Sequence, residues 1–68
     1  MKNIAQVLKK ERENKGLTLN SVAKEVGMSA SYLYRIEEGE RKKPSIKFLR
    51  SLAEFYNIDF YYLIDLIV

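Results

Sequence analysis

From Thr18 to Glu38 the chain reads TLNSVAKEVGMSASYLYRIEE, and this stretch decides the fold. It predicts two short helices joined by a tight turn, over about Leu19–Val26 and Ala30–Glu37. Gly27 stands between them, where a helix C-terminus wants a residue that tolerates positive φ. Ser29 follows two residues later, where the next helix wants a side-chain oxygen for its first free N–H groups. Thr18 is placed to cap the first helix in the same way.

The second of these helices has two faces. At about 100° per residue, Tyr32, Leu33, Ile36 and Glu37 fall on one arc. Ala30, Ser31, Tyr34 and Arg35 fall on the other. The first arc is mostly apolar and is expected to pack inward. The second carries a small methyl, a hydroxyl, a phenol and a guanidinium, with no bulky aliphatic side chain among them. Such a face suits base edges in a DNA major groove.

The wider run L-T-x-x-x-V-A-x-x-V-G-M-S-x-S-Y-L-Y-R-I-E-x-G-x-R-x-x-P-S, from Leu17 to Ser45, resembles the Cro/phage-repressor type of helix-turn-helix, the family also named for the xenobiotic response element. Ala23, Gly27, Ile36, Glu37, Gly39 and Pro44 match in register, and the likeness extends from about Ile4 to Leu63. The S-Y-L-x-x-I-E and P-S-I-x-F-L runs are similar to the DNA-binding domain of SinR-type regulators. The resemblance implies an all-α, five-helix, lambda-repressor-like domain over residues 1–68. Its helix-turn-helix lies at about 18–38, and a terminal helix at about 60–67 is available for dimerisation.

Size and composition are compatible with this. Sixty-eight residues suffice for one small domain of modest stability. The 47% hydrophobic and 31% charged content marks a folded rather than a disordered chain. No cysteine and no histidine are present, which excludes a disulfide scaffold and a zinc finger. No metal or cofactor is expected, and a cysteine-free chain fits a reducing cytoplasm. The opening MKNIAQVLKK has no long apolar run and no small-residue cleavage site, so no signal peptide is expected. The longest apolar stretch, FYYLIDLIV, is too short to span a bilayer and contains Asp65. A net charge of +3 says little by itself. Its placement says more: Arg41, Lys42 and Lys43 are consecutive, and Lys47 and Arg50 follow.

Outside the central motif, a first helix is expected over Asn3–Asn14, with Ile4, Val7, Leu8 and Glu11 on one face and Arg12 at its edge. Lys9, Lys10 and Glu13 are expected in solvent, and Gly16 ends the helix. By the resemblance, Arg12 pairs with Glu37 in a bidentate, partly buried contact that fixes the second motif helix against the first helix. Such a pair positions more than it stabilises, because desolvation offsets much of the Coulomb gain. Ala23 allows the two motif helices to approach closely. The family often carries a phosphate-gripping glutamine near the start of the first motif helix. This chain has Leu19 there, leaving Asn20 or the Thr18 hydroxyl to take that place. Gly39 ends the second motif helix, and Pro44 with Ser45 starts the next.

That helix is expected over Ile46–Tyr56, with Ile46, Leu49, Leu52, Ala53 and Tyr56 inside and Lys47, Arg50 and Glu54 outside. Phe48 and Phe55 widen its apolar arc. Asn57 is a left-handed stop. The last helix, capped by Asp59, turns Phe60, Leu63, Ile64 and Ile67 one way. Tyr62 and Leu66 extend its apolar surface, while Tyr61 and Asp65 are wet. A helix greasy on nearly all sides wants two neighbours. Its own domain is one, and the same helix in a second copy is the other.

No enzymatic reading survives. The chain has no histidine, no thiol, no paired carboxylates on an apolar wall and no glycine-rich phosphate loop. The expected function is sequence-specific binding of double-stranded DNA by a homodimer on an inverted repeat, for transcriptional regulation and most often repression. By the resemblance, Ser29, Ala30, Ser31, Tyr34 and Arg35 are the base readers, though Tyr34 is large for that face and also suits sugar and phosphate. Thr18, Asn20, Tyr32, Arg41, Lys42 and Lys43 are the backbone anchors. Charged loops are most often simply solvated; beside this motif the basic trio reads as phosphate contact. Glu38 and Glu40 oppose it and weaken non-specific binding. Phe48, Phe55, Phe60, Tyr61, Tyr62 and Leu66 are the candidate dimer surface. The same aromatic flank leaves a second reading open, a protein-interaction module such as an antitoxin or partner-binding regulator.

Overall fold

A computed structural model describes residues 3–67 and contains five helices: α1 (Ile4–Asn14), α2 (Leu19–Val26), α3 (Ala30–Glu37), α4 (Ile46–Tyr56) and α5 (Phe60–Ile67). No strand occurs among the described residues. The helix α3 packs against both α1 and α2, α4 packs against α2 and α5, and α5 returns to α1. The body measures 27 × 23 × 22 Å. Leu8, Val22, Leu33, Ile36, Leu49, Leu52 and Leu63 are fully enclosed at its centre, so every helix sends at least one aliphatic side chain into one shared core.

Local chemistry sets the helix ends. Asn3 is not the first residue of α1 but its cap: its Oδ1 accepts from Gln6 N at 2.9 Å, and Gln6 Oε1 accepts from Asn3 N. Thr18 and Ser21 exchange the same pair of bonds at the start of α2. Gly27 ends α2 at φ +75°. A Cβ there would meet nothing within 4 Å, so the backbone angle, not space, calls for glycine. Met28 N then donates to the Ala23 carbonyl at 3.0 Å, wrapping the last turn before Ser29 accepts from Tyr32 N at 3.0 Å to open α3. Asn57 takes φ 58° after α4, and Asp59 Oδ1 accepts from Tyr61 N at 3.2 Å at the start of α5.

Three packing details differ from the sequence reading. Ile46, expected inside, is 54% exposed. It opens α4 at the edge of the core, and the fully enclosed side chains of this helix begin at Leu49. Ala5 is buried beside Ile4 and Leu8, whereas Val7 is only partly covered. Lys9, expected in solvent, reaches Glu38 at 3.1 Å, though both groups remain well exposed and such a pair adds little stability.

The tie between α1 and α3 that matters more is Arg12 with Glu37. Arg12 Nε donates to Glu37 Oε2 at 2.9 Å and to Oε1 at 3.1 Å. Its Nη1 donates to the Leu17 carbonyl at 2.8 Å. Both carboxylate oxygens are engaged, in a partly buried contact made through one guanidinium nitrogen. Another nitrogen holds the turn that leads into α2. Glu37 is 5% exposed, and the Arg12 guanidinium is its charged hydrogen-bond partner. Tyr56 lies on the same side of the core, 3% exposed, and its hydroxyl has no hydrogen-bond partner among the described residues. Burial pushes the phenol up to about 12, reinforced by the Glu37 carboxylate and partly offset by Arg12.

Two outcomes follow from this corner of the molecule. Arg12→Ala leaves a buried carboxylate unpaired and is expected to cost roughly 3 kcal/mol in urea unfolding. Arg12→Met combined with Glu37→Leu, which removes both charges, is expected to cost less than Arg12→Ala alone. An unchanged midpoint for Arg12→Ala would refute the role given to the pair. The Tyr56 phenol keeps its proton to about pH 12 in the folded chain but only to about 10 when unfolded. Its contribution is therefore complete below pH 10 and is lost as pH climbs through 12. Tyr56→Phe removes this slope, about 1.4 kcal/mol per pH unit in that window. Parallel pH profiles for the two proteins would contradict it.

Candidate nucleic-acid interface

The partition of α3 into two faces follows its sequence period. Leu33, Ile36 and Glu37 are buried, and Ser31, Tyr34 and Arg35 are exposed. Ala30 is half-buried, with its methyl at the margin of the core. Ser29 is exposed, but its oxygen is engaged in capping. Ala30, Ser31, Tyr34 and Arg35 share one open depression, and Glu40 forms part of its wall. Glu40 was read from the sequence only as a charge opposing the basic loop. Its place comes from the backbone after Gly39, which has φ +79°. There the chain reverses, and the N–H groups of Glu40 and Arg41 both donate to the Arg35 carbonyl, at 2.9 and 3.2 Å. The sequence signal for this was Gly39 itself: a left-handed residue just past a helix end folds the next residues back over the last turn.

The basic loop is anchored to α3 by Tyr32. The Tyr32 ring lies 5.2 Å from the Phe48 ring, tilted by 57°. The Arg41 guanidinium lies 5.2 Å from the centre of the same ring. The Tyr32 hydroxyl accepts from Ser45 N at 3.0 Å and keeps its own proton to donate. Ser45 precedes α4 without a side-chain cap bond, and Pro44 beside it is buried. One aromatic side chain thus touches the loop, the residue before α4 and the first turn of α4. Lys42 and Lys43 are exposed, as are Asn20, Lys47 and Arg50. The Thr18 oxygen accepts the Ser21 N–H while its own O–H remains available.

The six residues read as a dimer surface do not form one patch. Phe48 is turned toward Tyr32. Phe55 sits edge-on to Tyr56, beside Glu25, Val26, Ser51 and Glu54. Tyr62 faces α1, sharing a groove with Val7, Lys10 and Ile58. Leu66 lies by Ile4, Ala5 and Lys42. Phe60 is half-buried with Tyr61 edge-on to it, and Tyr61 is 73% exposed. No helix among the described residues is long and apolar enough to cross a membrane.

Comparison with known proteins places this geometry. Residues 8–63 match the helix-turn-helix family. The chain is 34% identical over 62 residues to the HTH-type transcriptional regulator SlrR of Bacillus subtilis, covering 91% of this chain and 41% of that one. It is also 34% identical over 62 residues to SinR of the same organism, covering 91% and 56%. The ImmF control region 10 kDa protein of Bacillus phage phi105 is 40% identical over 58 residues, covering 85% and 63%. The chain thus spans about half the length of the curated relatives it matches. Among solved structures, the N-terminal DNA binding domain of SinR from Bacillus subtilis superposes with a TM-score of 0.83 at 34% identity, covering 91% of this chain and 90% of that one. With the family matched across most of its length and the fold shared with that domain, the chain belongs to the helix-turn-helix family of the Cro/phage-repressor type.

Proposed function

We propose that this chain binds double-stranded DNA sequence-specifically and regulates transcription by repression, acting as a homodimer on an inverted-repeat operator. The observation that carries this is the outer face of α3. Ser31, Tyr34 and Arg35 are exposed around an open depression while the opposite face is sealed against α1 and α2. A short helix held from behind and polar in front fits a major groove. Arg35 supplies the donor fork for guanine O6 and N7, and the Ala30 methyl suits a thymine methyl. Arg41, Lys42 and Lys43 flank the helix as phosphate contacts. Two copies related by a twofold axis present their α3 helices to successive grooves roughly 34–36 Å apart, which requires an operator of matching symmetry.

A second reading has support in Tyr61 and Tyr62, 73% and 41% exposed on α5. Aromatic side chains left in solvent suit a protein partner. Sedimentation at micromolar concentration separates the two: a clean monomer without DNA affinity favours the protein partner.

Selection from a random duplex pool is the direct test, and an unenriched pool would refute the DNA reading. On the selected site, Arg35→Ala is expected to lose roughly 1–3 kcal/mol of binding and little on random duplex. Equal loss on both would make Arg35 a phosphate contact. Lys42→Ala is expected to weaken both and to reduce the slope of log affinity against log salt by about one. An unchanged slope would place Lys42 away from the phosphates.

A further inference from the structure

We infer that Glu40 is a specificity-determining residue of this surface, accepting a hydrogen bond from a base amino group, with cytosine N4 its preferred donor. The inference rests on the DNA-binding reading above and adds a residue from outside α3 to it. Glu40 lines the depression shared by Ala30, Ser31, Tyr34 and Arg35. Its backbone is fixed there by the 2.9 Å bond from its N–H to the Arg35 carbonyl. Its side chain is exposed and forms no ion pair among the described residues. Glu38, two residues earlier, has the same charge but is bonded by Lys9 of α1. Only one of the two carboxylates of this turn therefore faces the groove that reads bases.

A carboxylate in that position repels phosphate whatever the sequence. It lowers affinity for every duplex and recovers the loss only where the DNA presents a donor. In the major groove those donors are cytosine N4 and adenine N6. Guanine and thymine present acceptors there, which a carboxylate disfavours. Adenine places its N7 acceptor beside N6, so cytosine is the better match for a group that only accepts. Arg35 in the same depression has the complementary need, two acceptors in a fork. Together they suit the two edges of a G·C step, guanine for Arg35 and cytosine for Glu40.

The test compares Glu40→Gln with Glu38→Gln, two variants with the same change in net charge. Each is taken through selection from a random duplex pool and through affinity measurements on the wild-type consensus and on random duplex. Glu40→Gln is expected to bind random duplex more tightly and to lose a cytosine preference at one position per half-site, or move it to adenine, which a carboxamide reads. The consensus-to-random ratio is expected to fall roughly five- to ten-fold. Glu38→Gln is expected to keep the wild-type base profile. If both variants keep that profile, or both change it alike, Glu40 has no reading role. If the wild-type protein itself enriches no sequence, the underlying DNA reading is what has failed.

Discussion

Eight residues of α3 cannot hold themselves in place. A helix this short is marginal in water, so its position is set by what its buried face touches. Leu33 and Ile36 supply the apolar part of that contact, and Glu37 the polar part. The Arg12 guanidinium is central because it bonds in two directions, with Glu37 at the end of α3 and with the Leu17 carbonyl in the turn before α2. The distance between the two helices of the motif is thereby referred to a third, α1. A hydrophobic contact at the same place would bury similar area without the directionality of a hydrogen-bonded pair. The directional pair adds a polar constraint on the orientation of α3 to the apolar one from Leu33 and Ile36.

Much of the fold was legible in the sequence because its punctuation is local. Gly16, Gly27, Gly39 and Asn57 all take positive φ, and Thr18 and Ser29 cap where a side-chain oxygen was expected. These residues carry their own conformational reasons, so no neighbour is needed to read them. The inner stripe of α4 was legible from Leu49 to Tyr56 but not at Ile46, because periodicity gives a direction and not the reach of the neighbouring helices. Lys9 with Glu38 was missed for a similar reason: the two are 29 residues apart, and an exposed lysine carries no sign of its partner.

The candidate surface on α3 was legible in part. The arc of Ala30, Ser31, Tyr34 and Arg35 follows from helix geometry alone. Glu40 does not, because it comes from the loop, and only the reversal at Gly39 returns it to the same depression. The candidate dimer residues show the opposite case. Phe48, Phe55, Tyr62 and Leu66 look alike as excess apolar positions in sequence, yet they point at four different neighbours. Amphipathic counting detects that a helix has more apolar surface than one contact needs, but not how that surplus is divided.

Tyr32 shows why loop and helix act as one surface. A basic loop in solvent samples many positions, and each cation that must be ordered on binding loses side-chain entropy. Here the aromatic ring sits on α3 itself, so the loop is tied directly to the helix proposed to enter the groove. Arg41 lies over one part of that ring and Phe48 packs against it, while the hydroxyl holds the backbone at Ser45. Phosphate spacing along a duplex is fixed, so under the proposed DNA-binding function an Arg41 held at a set offset from α3 would favour one depth and one angle of approach. The same offset brings the carboxylate of Glu40 into register with Arg35. The loop therefore carries both signs of charge beside α3: Arg41 against the Tyr32 ring, and Glu40 in the depression that Arg35 also lines.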